Sequence, residues 1–249
     1  MRLDNYLVEK GYYNSRNKAQ EAIKSQSVMV NSQIIDKCSF EVLEESRIEI
    51  IKNDCPYVSR GGLKLEAAIK EFNLDFTDKT ILDIGASTGG FTDCALKFGA
   101  KLVYAVDVGT NQLAEVLKNR DDVISLEKTN ILDFDISNLK IDYIVMDVSF
   151  VSIEKLLPAL DKMVNEDNSL VCLIKPQFEV GKMFLKKGIV KDKKLHLKVL
   201  ENVSETFSSY GLAITKAIPS PILGGSGNKE FLVYVKRTKN SNINFKELV

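Results

Sequence analysis

The rhythm of apolar and polar positions changes several times along the chain. Ile81-Leu82-Asp83-Ile84 and Leu102-Val-Tyr-Ala-Val106 are short apolar runs of the buried-strand kind. Between them Gly85, Gly89 and Gly90 break the run, and Phe91-Thr-Asp-Cys-Ala-Leu-Lys97 starts a helical pattern. Further strands are predicted at Val123–Leu126, Asp142–Asp147, Leu170–Lys175, Leu212–Thr215 and Phe231–Val235. Helices are predicted at Asn111–Leu117, at Ile153–Val164 and from His196 onward. Six or seven strands interleaved with helices predict a doubly wound, Rossmann-like α/β sheet.

The first part of the chain follows another pattern. Leu3, Tyr6 and Leu7, then Ala19, Ala22 and Ile23, recur at helical spacing, with Gly11–Ser15 between them and Ser15 as an N-cap. Val28-Met-Val30 and Ile48-Glu-Ile-Ile51 read as strands joined through Asn31-Ser-Gln. Turn formers at Asn53-Asp-Cys-Pro56 mark a boundary. The expected organisation is a small domain at 1–56, a linker at 57–60 and a larger domain at 61–249. Ser59 and the glycines after it would cap a helix carrying Leu63, Ala67 and Phe72 inward, with Lys64 off to the side of that stripe.

Composition narrows the possible chemistry. The 34 basic and 34 acidic residues balance to zero, so only local patterning supports nucleic-acid binding. No apolar run approaches the ~18 residues of a membrane span, and Met-Arg-Leu-Asp does not open a signal peptide. Cys38, Cys55, Cys94 and Cys172 are scattered, which points to free thiols in a reducing cytoplasm and away from zinc or disulfides. His196 is the single histidine, which argues against a histidine-based triad or metal cluster, and it reads best as a packing or capping residue. Acid–base work falls to lysine or carboxylate.

Several residues carry that chemistry. The glycine spacing is Gly-x-x-x-Gly-Gly, not the Gly-x-Gly-x-x-Gly of dinucleotide enzymes, and Asp83 precedes it. An acid there suits a cationic ligand. S-adenosylmethionine fits, with an ammonium, a sulfonium and no phosphate. Asp107, about twenty residues after the turn, ends the second strand where a carboxylate accepts ribose hydroxyls, and Thr129-Asn130 fall where an adenine edge needs contacts. Asp147 ends the fourth strand and Lys175 the fifth, both directed at the carboxyl edge where ligands bind. A lysine closing an apolar strand either pairs with an acid or snorkels outward. The run Lys182, Lys186, Lys187, Lys191, Lys193 and Lys194 suits a polyanion or a solvated loop. Arg2, Arg16, Lys18 and Lys24 are placed to grip phosphates or simply to face solvent.

Two resemblances join these readings. Arg2-Leu-Asp-x-x-Leu-Val, Ser15-Arg16, Ala19, Ile23 and Val28-x-Val-Asn31 resemble the alpha-L RNA-binding motif, with Gln26 and Ser32 standing where glycine is common. Ser59-Arg-Gly-Gly-Leu-Lys64-Leu, Asp83-Ile-Gly-Ala-Ser-Thr-Gly-Gly-Phe-Thr-Asp-Cys, Tyr104-Ala-Val-Asp-Val-Gly, Asp147-Val-Ser-Phe, Ile174-Lys-Pro-Gln-Phe-Glu and Gly227-Asn-Lys-Glu230 resemble the TlyA family over nearly the whole chain. That family joins such an RNA-binding module to an FtsJ-like ribose methyltransferase of the Rossmann-like class I fold.

The resemblance implies 2′-O-methylation of cytidine in ribosomal RNA with S-adenosylmethionine as donor. It places a catalytic tetrad on Lys64, Asp147, Lys175 and Glu230. The expected cofactor contacts are Asp83, Gly85, Ser87, Thr88, Gly89, Gly90, Phe91, Asp107, Val108, Asn130 and Asp147. RNA contacts are expected from Arg2, Arg16, Lys18, Lys24, Arg60, Lys182, Lys186 and Lys187. The partners implied are ribosomal RNA or ribosomal subunits, with neither membrane nor metal; the oligomeric state is left open, with a monomer favoured. The short tail resembles the shorter form of the family, associated with the large-subunit RNA. Rival readings are a non-catalytic RNA-binding protein, a membrane-lytic protein and a base methyltransferase. No suitable amphipathic segment supports the second, and no Asn-Pro-Pro-Tyr motif the third.

Overall fold

The computed structural model describes residues 1–24, 27–50, 55–224, 227–239, 241 and 243–249, without the side chains of Glu21, Lys24 and Lys182. Gln26, Ile51 and the boundary residues 53–54 lie outside the described residues. The chain forms two compact units, Met1–Asp54 and Cys55–Val249.

In the first unit, α1 (Leu3–Glu9) and α2 (Arg16–Lys24) bury Leu3, Leu7, Ala19 and Ile23 against Val28 and Val30. The Ser15 hydroxyl accepts from Lys18 N–H at 3.3 Å, as an N-cap does. Strand β1 (Val28–Val30) lies between β2 (Gln33–Ile34) and β3 (Ile48–Ile50), antiparallel to both. The β1–β2 hairpin was not foreseen, because two residues are too few to show alternation. Its turn residues Asn31 and Ser32 both adopt positive φ, +49° and +64°. Ser32 therefore takes a left-handed conformation that glycine adopts without strain.

The second unit begins with α3 (Gly61–Phe72), followed by β4 (Thr80–Ile84), α4 (Gly90–Lys97), β5 (Leu102–Val106), α5 (Glu115–Lys118), β6 (Val123–Leu126) and β7 (Tyr143–Met146). Then come α6 (Ile153–Met163), β8 (Ser169–Ile174), α7 (Pro176–Glu179), α8 (Lys193–Ser208), β9 (Leu212–Pro219) and β10 (Phe231–Arg237). The sheet order is β6-β5-β4-β7-β8-β10-β9; β4 to β8 run parallel, and β10 is antiparallel to both its neighbours. This is the expected Rossmann-like α/β fold, with the order reversing at β4 and a crevice at the carboxyl ends beside it.

Strand alternation builds the two layers of the core. Ile81, Val103, Val145 and Val171 face α3 and α4, meeting Leu65, Ile69, Phe72 and Phe91. Leu82, Ile144, Leu170 and Cys172 face α6 and α8, meeting Leu157, Leu160, Leu200 and Phe207.

Three local expectations change. The inward face of α3 is Leu65, Ala68, Ile69 and Phe72, and it includes Lys64, while Leu63 and Ala67 are only half-buried. Ser59 does not cap this helix with its hydroxyl: the N-cap is Arg60, and the Ser59 carbonyl accepts from Gly62 N–H at 3.1 Å. The helix expected at Asn111–Leu117 shrinks to α5, because Asn111 sits at φ +56° and leaves the helical path.

Candidate active site

The sheet's chain directions bring four distant side chains to one edge. Asp147 follows β7 and Lys175 follows β8, so both stand at carboxyl ends of adjacent parallel strands. Glu230 precedes β10. Because β10 runs antiparallel to β8 with Phe231 opposite Ile174, its first residue arrives at the edge where β8 ends. Lys64 enters from the first turn of α3, above that edge.

The result is one buried cluster. Lys64 Nζ lies 2.8 Å from Glu230 Oε2 and 3.4 Å from Asp147 Oδ2, while Lys175 Nζ lies 2.5 Å from Asp147 Oδ1. Lys64 and Lys175 are each 8 % exposed and Glu230 is 2 % exposed. Burial alone would lower the Lys64 ammonium, but the facing carboxylates Asp147 and Glu230 outweigh it and hold it above its ordinary value. Burial would likewise raise the Asp147 carboxyl, and the ammoniums of Lys64 and Lys175 outweigh it and hold it below the usual range. The cluster therefore keeps Lys64 cationic and Asp147 anionic.

Two neighbours that the sequence left without a role complete it. Lys175 Nζ donates to Ser149 Oγ at 2.8 Å, and Gln177 Nε2 donates to Glu230 Oε1 at 3.0 Å. Both flank tetrad positions in the motifs Asp147-Val-Ser-Phe and Lys175-Pro-Gln-Phe-Glu, and that adjacency was the available signal.

Beside the cluster a cavity of about 570 Å³ opens at the ends of β4, β5 and β7. Of the residues expected to hold a cofactor, Gly85, Ser87, Asp107, Val108, Asn130 and Asp147 line it. The Asp107 carboxylate is fixed from below, Oδ2 accepting from Ser87 N–H at 2.8 Å and Oδ1 from Gly109 N–H at 2.7 Å. Val108 and Leu132, 71 % and 48 % exposed, give the wall apolar surface of the kind a flat ring covers. Phe150, also on the wall, holds a positive φ of +67° and packs on Phe178 with ring centres 5.1 Å apart. Among its described lining residues the cavity has two charges, both carboxylates, and neither lysine nor arginine. A pyrophosphate would be repelled; a sulfonium nucleoside fits.

The other expected cofactor residues lie off this wall. Thr88 accepts from Ala114 N–H at 3.1 Å through its carbonyl. Gly89 is the N-cap of α4 at φ +95°, where a Cβ would collide with Leu113 and Leu117. Gly90 packs so closely on Ser59 and Gly62 that a Cβ would displace them, and Phe91 is in the core. These glycines serve close packing of helix on helix and helix on loop. Asp83 is 1 % exposed beneath the turn, accepting from Thr92 Oγ1 at 2.6 Å. Its other oxygen has no hydrogen-bond partner among the described residues, and burial pushes the carboxyl up to about 7.

Of the residues expected to touch RNA, Lys18, Lys186 and Lys187 are exposed and Arg60 is half-buried. Arg2 and Arg16 are half-exposed and tethered to buried Asp4. The side chains of Lys24 and Lys182 fall outside the described residues. The turn carrying Lys186 and Lys187 is tied to the Glu230 loop: Asn228 accepts from Val190 N–H and donates to the Gly188 carbonyl, both at 3.0 Å. His196 is buried, shares a 3.1 Å hydrogen bond with the Val190 carbonyl and packs edge-on against Phe231, a packing residue as expected. No group of metal-binding side chains occurs among the described residues, and no helix there is long and apolar enough to cross a membrane.

The comparisons with known proteins agree with this architecture. Residues 57–237 match the FtsJ-like methyltransferase model, and residues 1–48 match the S4 domain. The chain is similar to Hemolysin A of Brachyspira hyodysenteriae, 44% identical over 94% of this chain and 99% of that protein. It is also similar to the 16S/23S rRNA (cytidine-2'-O)-methyltransferase TlyA of Mycobacterium tuberculosis, 34% identical over 99% of this chain and 94% of that protein. Among solved structures, a candidate hemolysin from Streptococcus thermophilus superposes with a TM-score of 0.76 at 39% identity, covering 99% of this chain and 91% of that one. With both domains matched and relatives of this identity along its length, the chain belongs to the TlyA family of FtsJ-like methyltransferases bearing an N-terminal S4 domain.

Proposed function

We propose that this chain methylates a ribose 2′-oxygen of cytidine in ribosomal RNA, with S-adenosylmethionine as donor. The observation that carries the reading is that Asp147 belongs to two structures at once. It lines the acid-walled cavity and also ion-pairs with both buried lysines, so cofactor site and proton-handling cluster share one carboxylate. In this reading Asp107 receives the nucleoside hydroxyls, Val108 and Leu132 cover the base, and Asn130 meets its edge. Bound there, S-adenosylmethionine supplies an electrophilic methyl group on a sulfonium.

The tetrad's task is the acceptor hydroxyl, which is a poor nucleophile at neutral pH. Lys175, held by Asp147 and Ser149, orients that hydroxyl and manages its proton. Lys64 stays charged between Asp147 and Glu230 and steadies the oxygen as negative charge develops. Glu230 balances the two ammoniums and meets the ribose. Alignment of the reacting atoms supplies most of the rate. The S4 unit, through Arg2, Arg16, Lys18 and Lys24, and the second unit, through Arg60, Lys182, Lys186 and Lys187, hold phosphates without reading bases. In this reading the protein acts in the cytoplasm on ribosomal RNA.

The test is to incubate the protein and labelled donor with each ribosomal subunit and to map the labelled nucleotide. An alkali-resistant linkage at a cytidine is expected; label on a base, or no transfer to either subunit, overturns the reading. Lys175→Ala is expected to bind cofactor normally while transfer collapses, and retained turnover would remove Lys175 from the chemistry.

A further inference from the structure

Glu230 has two carboxylate oxygens and a separate partner for each. Oε2 faces the Lys64 ammonium at 2.8 Å, and Oε1 accepts from Gln177 Nε2 at 3.0 Å. The space around Oε1 is tight, because a Cβ on Gly224 would collide with it. Gln177 sits in the single turn of α7, two residues after Lys175, and that turn starts on Pro176, whose fixed φ suits the first helical position. A short, stiff connection therefore runs from Lys175 through α7 to Glu230.

The amide shows a second feature. A carboxylate only accepts, so Gln177 must turn its NH₂ toward Glu230. Its own Oε1 is then left buried, with no hydrogen-bond partner among the described residues. Stranding a buried acceptor is unfavourable for folding. A position chosen for stability would avoid it, and local rules are broken in this way where a site requires it.

We infer that Gln177 is a positioning residue of the tetrad: its amide pins the Glu230 carboxylate against Lys64 and locks the spacing between Glu230 and Lys175. It does not touch the reacting atoms. It acts through Glu230, which orients Lys64, which with Asp147 frames the place of Lys175. The inference rests on the ribose-methylation reading for its kinetic consequence, but its structural consequence is independent of any substrate.

The experiment uses the full chain with two variants, Gln177→Met, which keeps the length and loses the donor, and Gln177→Glu, which sets a carboxylate against a carboxylate. Acetic anhydride footprinting read by mass spectrometry reports on Lys64, which is shielded in the parent protein. In both variants its acylation is expected to accelerate severalfold while lysines of the first unit are unchanged. With ribosomal subunits as substrate, kcat is expected to fall about 10- to 100-fold with cofactor affinity and RNA KM unchanged. Gln177→Glu is expected to recover as the pH falls, since two carboxylates sharing a site take up a proton that restores the hydrogen bond. Unchanged Lys64 protection in both variants overturns the inference. So does a loss of activity that tracks a lower melting temperature and raises both KM values, since that is a packing role. If the parent protein methylates neither subunit while Lys64 protection still depends on Gln177, the positioning role stands and only the proposed activity falls.

Discussion

Each unit of the chain sets one carboxylate between two cations, and the two arrangements differ in kind. In the S4 unit Asp4, with no exposed side-chain surface, takes both ends of Arg2 at 3.0 Å, Arg16 Nε at 3.0 Å and Gln20 at 2.7 Å. Its cations remain half in water, with 45 % and 53 % of their side-chain surface exposed. In the catalytic unit Asp147 takes two lysines whose side chains are 10 % and 9 % exposed. Arginine does not give up its proton in proteins, and its planar fork fixes direction. Lysine is a compact point charge with three rotatable donors, which fits between two facing carboxylates. The first cluster is therefore a clamp that holds two exposed cations at a surface. The second is an enclosed set of groups that, in the proposed function, manages a proton. The same elementary motif, acid between two bases, becomes structure or chemistry according to which cation is used and how far it is desolvated.

Lys64→Arg tests that distinction most severely. Charge is retained, but a guanidinium has to fit where an ammonium sits between Glu230 and Asp147, and the displacement passes to the reacting oxygen. Methyl transfer is expected to fall about 100-fold or more, with cofactor affinity near that of the parent. Single-turnover kinetics with saturating cofactor measure it; a loss below about threefold would mean that charge alone suffices at this position.

How much of this was legible in the chain follows from sequence distance. The glycine turn, the strand-ending acids Asp107 and Asp147 and the strand-ending Lys175 are local features, and each sits at the expected edge of the sheet. The burial of Lys64 was not legible from periodicity, because its neutralising partner Glu230 lies 166 residues away. The buried face runs through Leu65, Ala68, Ile69 and Phe72 with Lys64 beside it, one position round from the stripe of Leu63 and Ala67. Ser149 and Gln177 were hidden for the same reason, since each acts on a side chain brought in by another strand. Arg2 and Arg16 looked like free cations, and only the fold reveals that Asp4 organises them.

Asp83 provides the missing case of the comparison, a buried carboxylate with no ion-pair partner among the described residues. Burial pushes it up to about 7, with nearby Asp147 adding to the effect and Thr92 opposing it. Between roughly pH 4, the unfolded value, and pH 7 the folded chain keeps a proton there that the unfolded chain has lost. The Asp83 contribution to stability is therefore largest near pH 4 and declines as pH rises toward and past 7. Asp83→Asn removes this dependence and is expected to stabilise the protein by about 2 kcal/mol at pH 8 and by much less at pH 5. Urea unfolding at the two pH values checks it; equal effects at both would mean that Asp83 does not titrate in this range.

Asp4 has the opposite sign. The Arg2 hydrogen bonds lower its carboxyl well below the usual range, burial opposes this, and Gln20 and Arg16 add to the lowering. Its contribution is complete above about pH 4 and is lost as pH falls below that. Asp4→Asn is expected to cost about 1–2 kcal/mol at neutral pH, seen as faster hydrogen exchange across α1 and α2, and to flatten the acid dependence of that exchange below pH 4. Unchanged protection would remove Asp4 as the organiser of the two arginines.

The smallest effect belongs to Arg16→Lys, the reverse of the exchange made at Lys64. The Asp4 contact is made through Arg16 Nε, while Arg2 keeps its two bonds and Gln20 its one, so the clamp retains most of its contacts when Arg16 shortens. Stability is expected to change by no more than about 0.5 kcal/mol. In the proposed RNA-binding role the residue serves as a charge near phosphate, so the salt dependence of RNA binding should also hold. Arg16→Ala, in contrast, should reduce that slope by about one unit, because one counterion fewer is released. Filter binding over a salt series separates the two. If Arg16→Lys reduces the slope as much as Arg16→Ala does, the guanidinium fork itself grips the RNA, and the S4 clamp is as demanding of its cation as the proposed catalytic cluster is of its lysines.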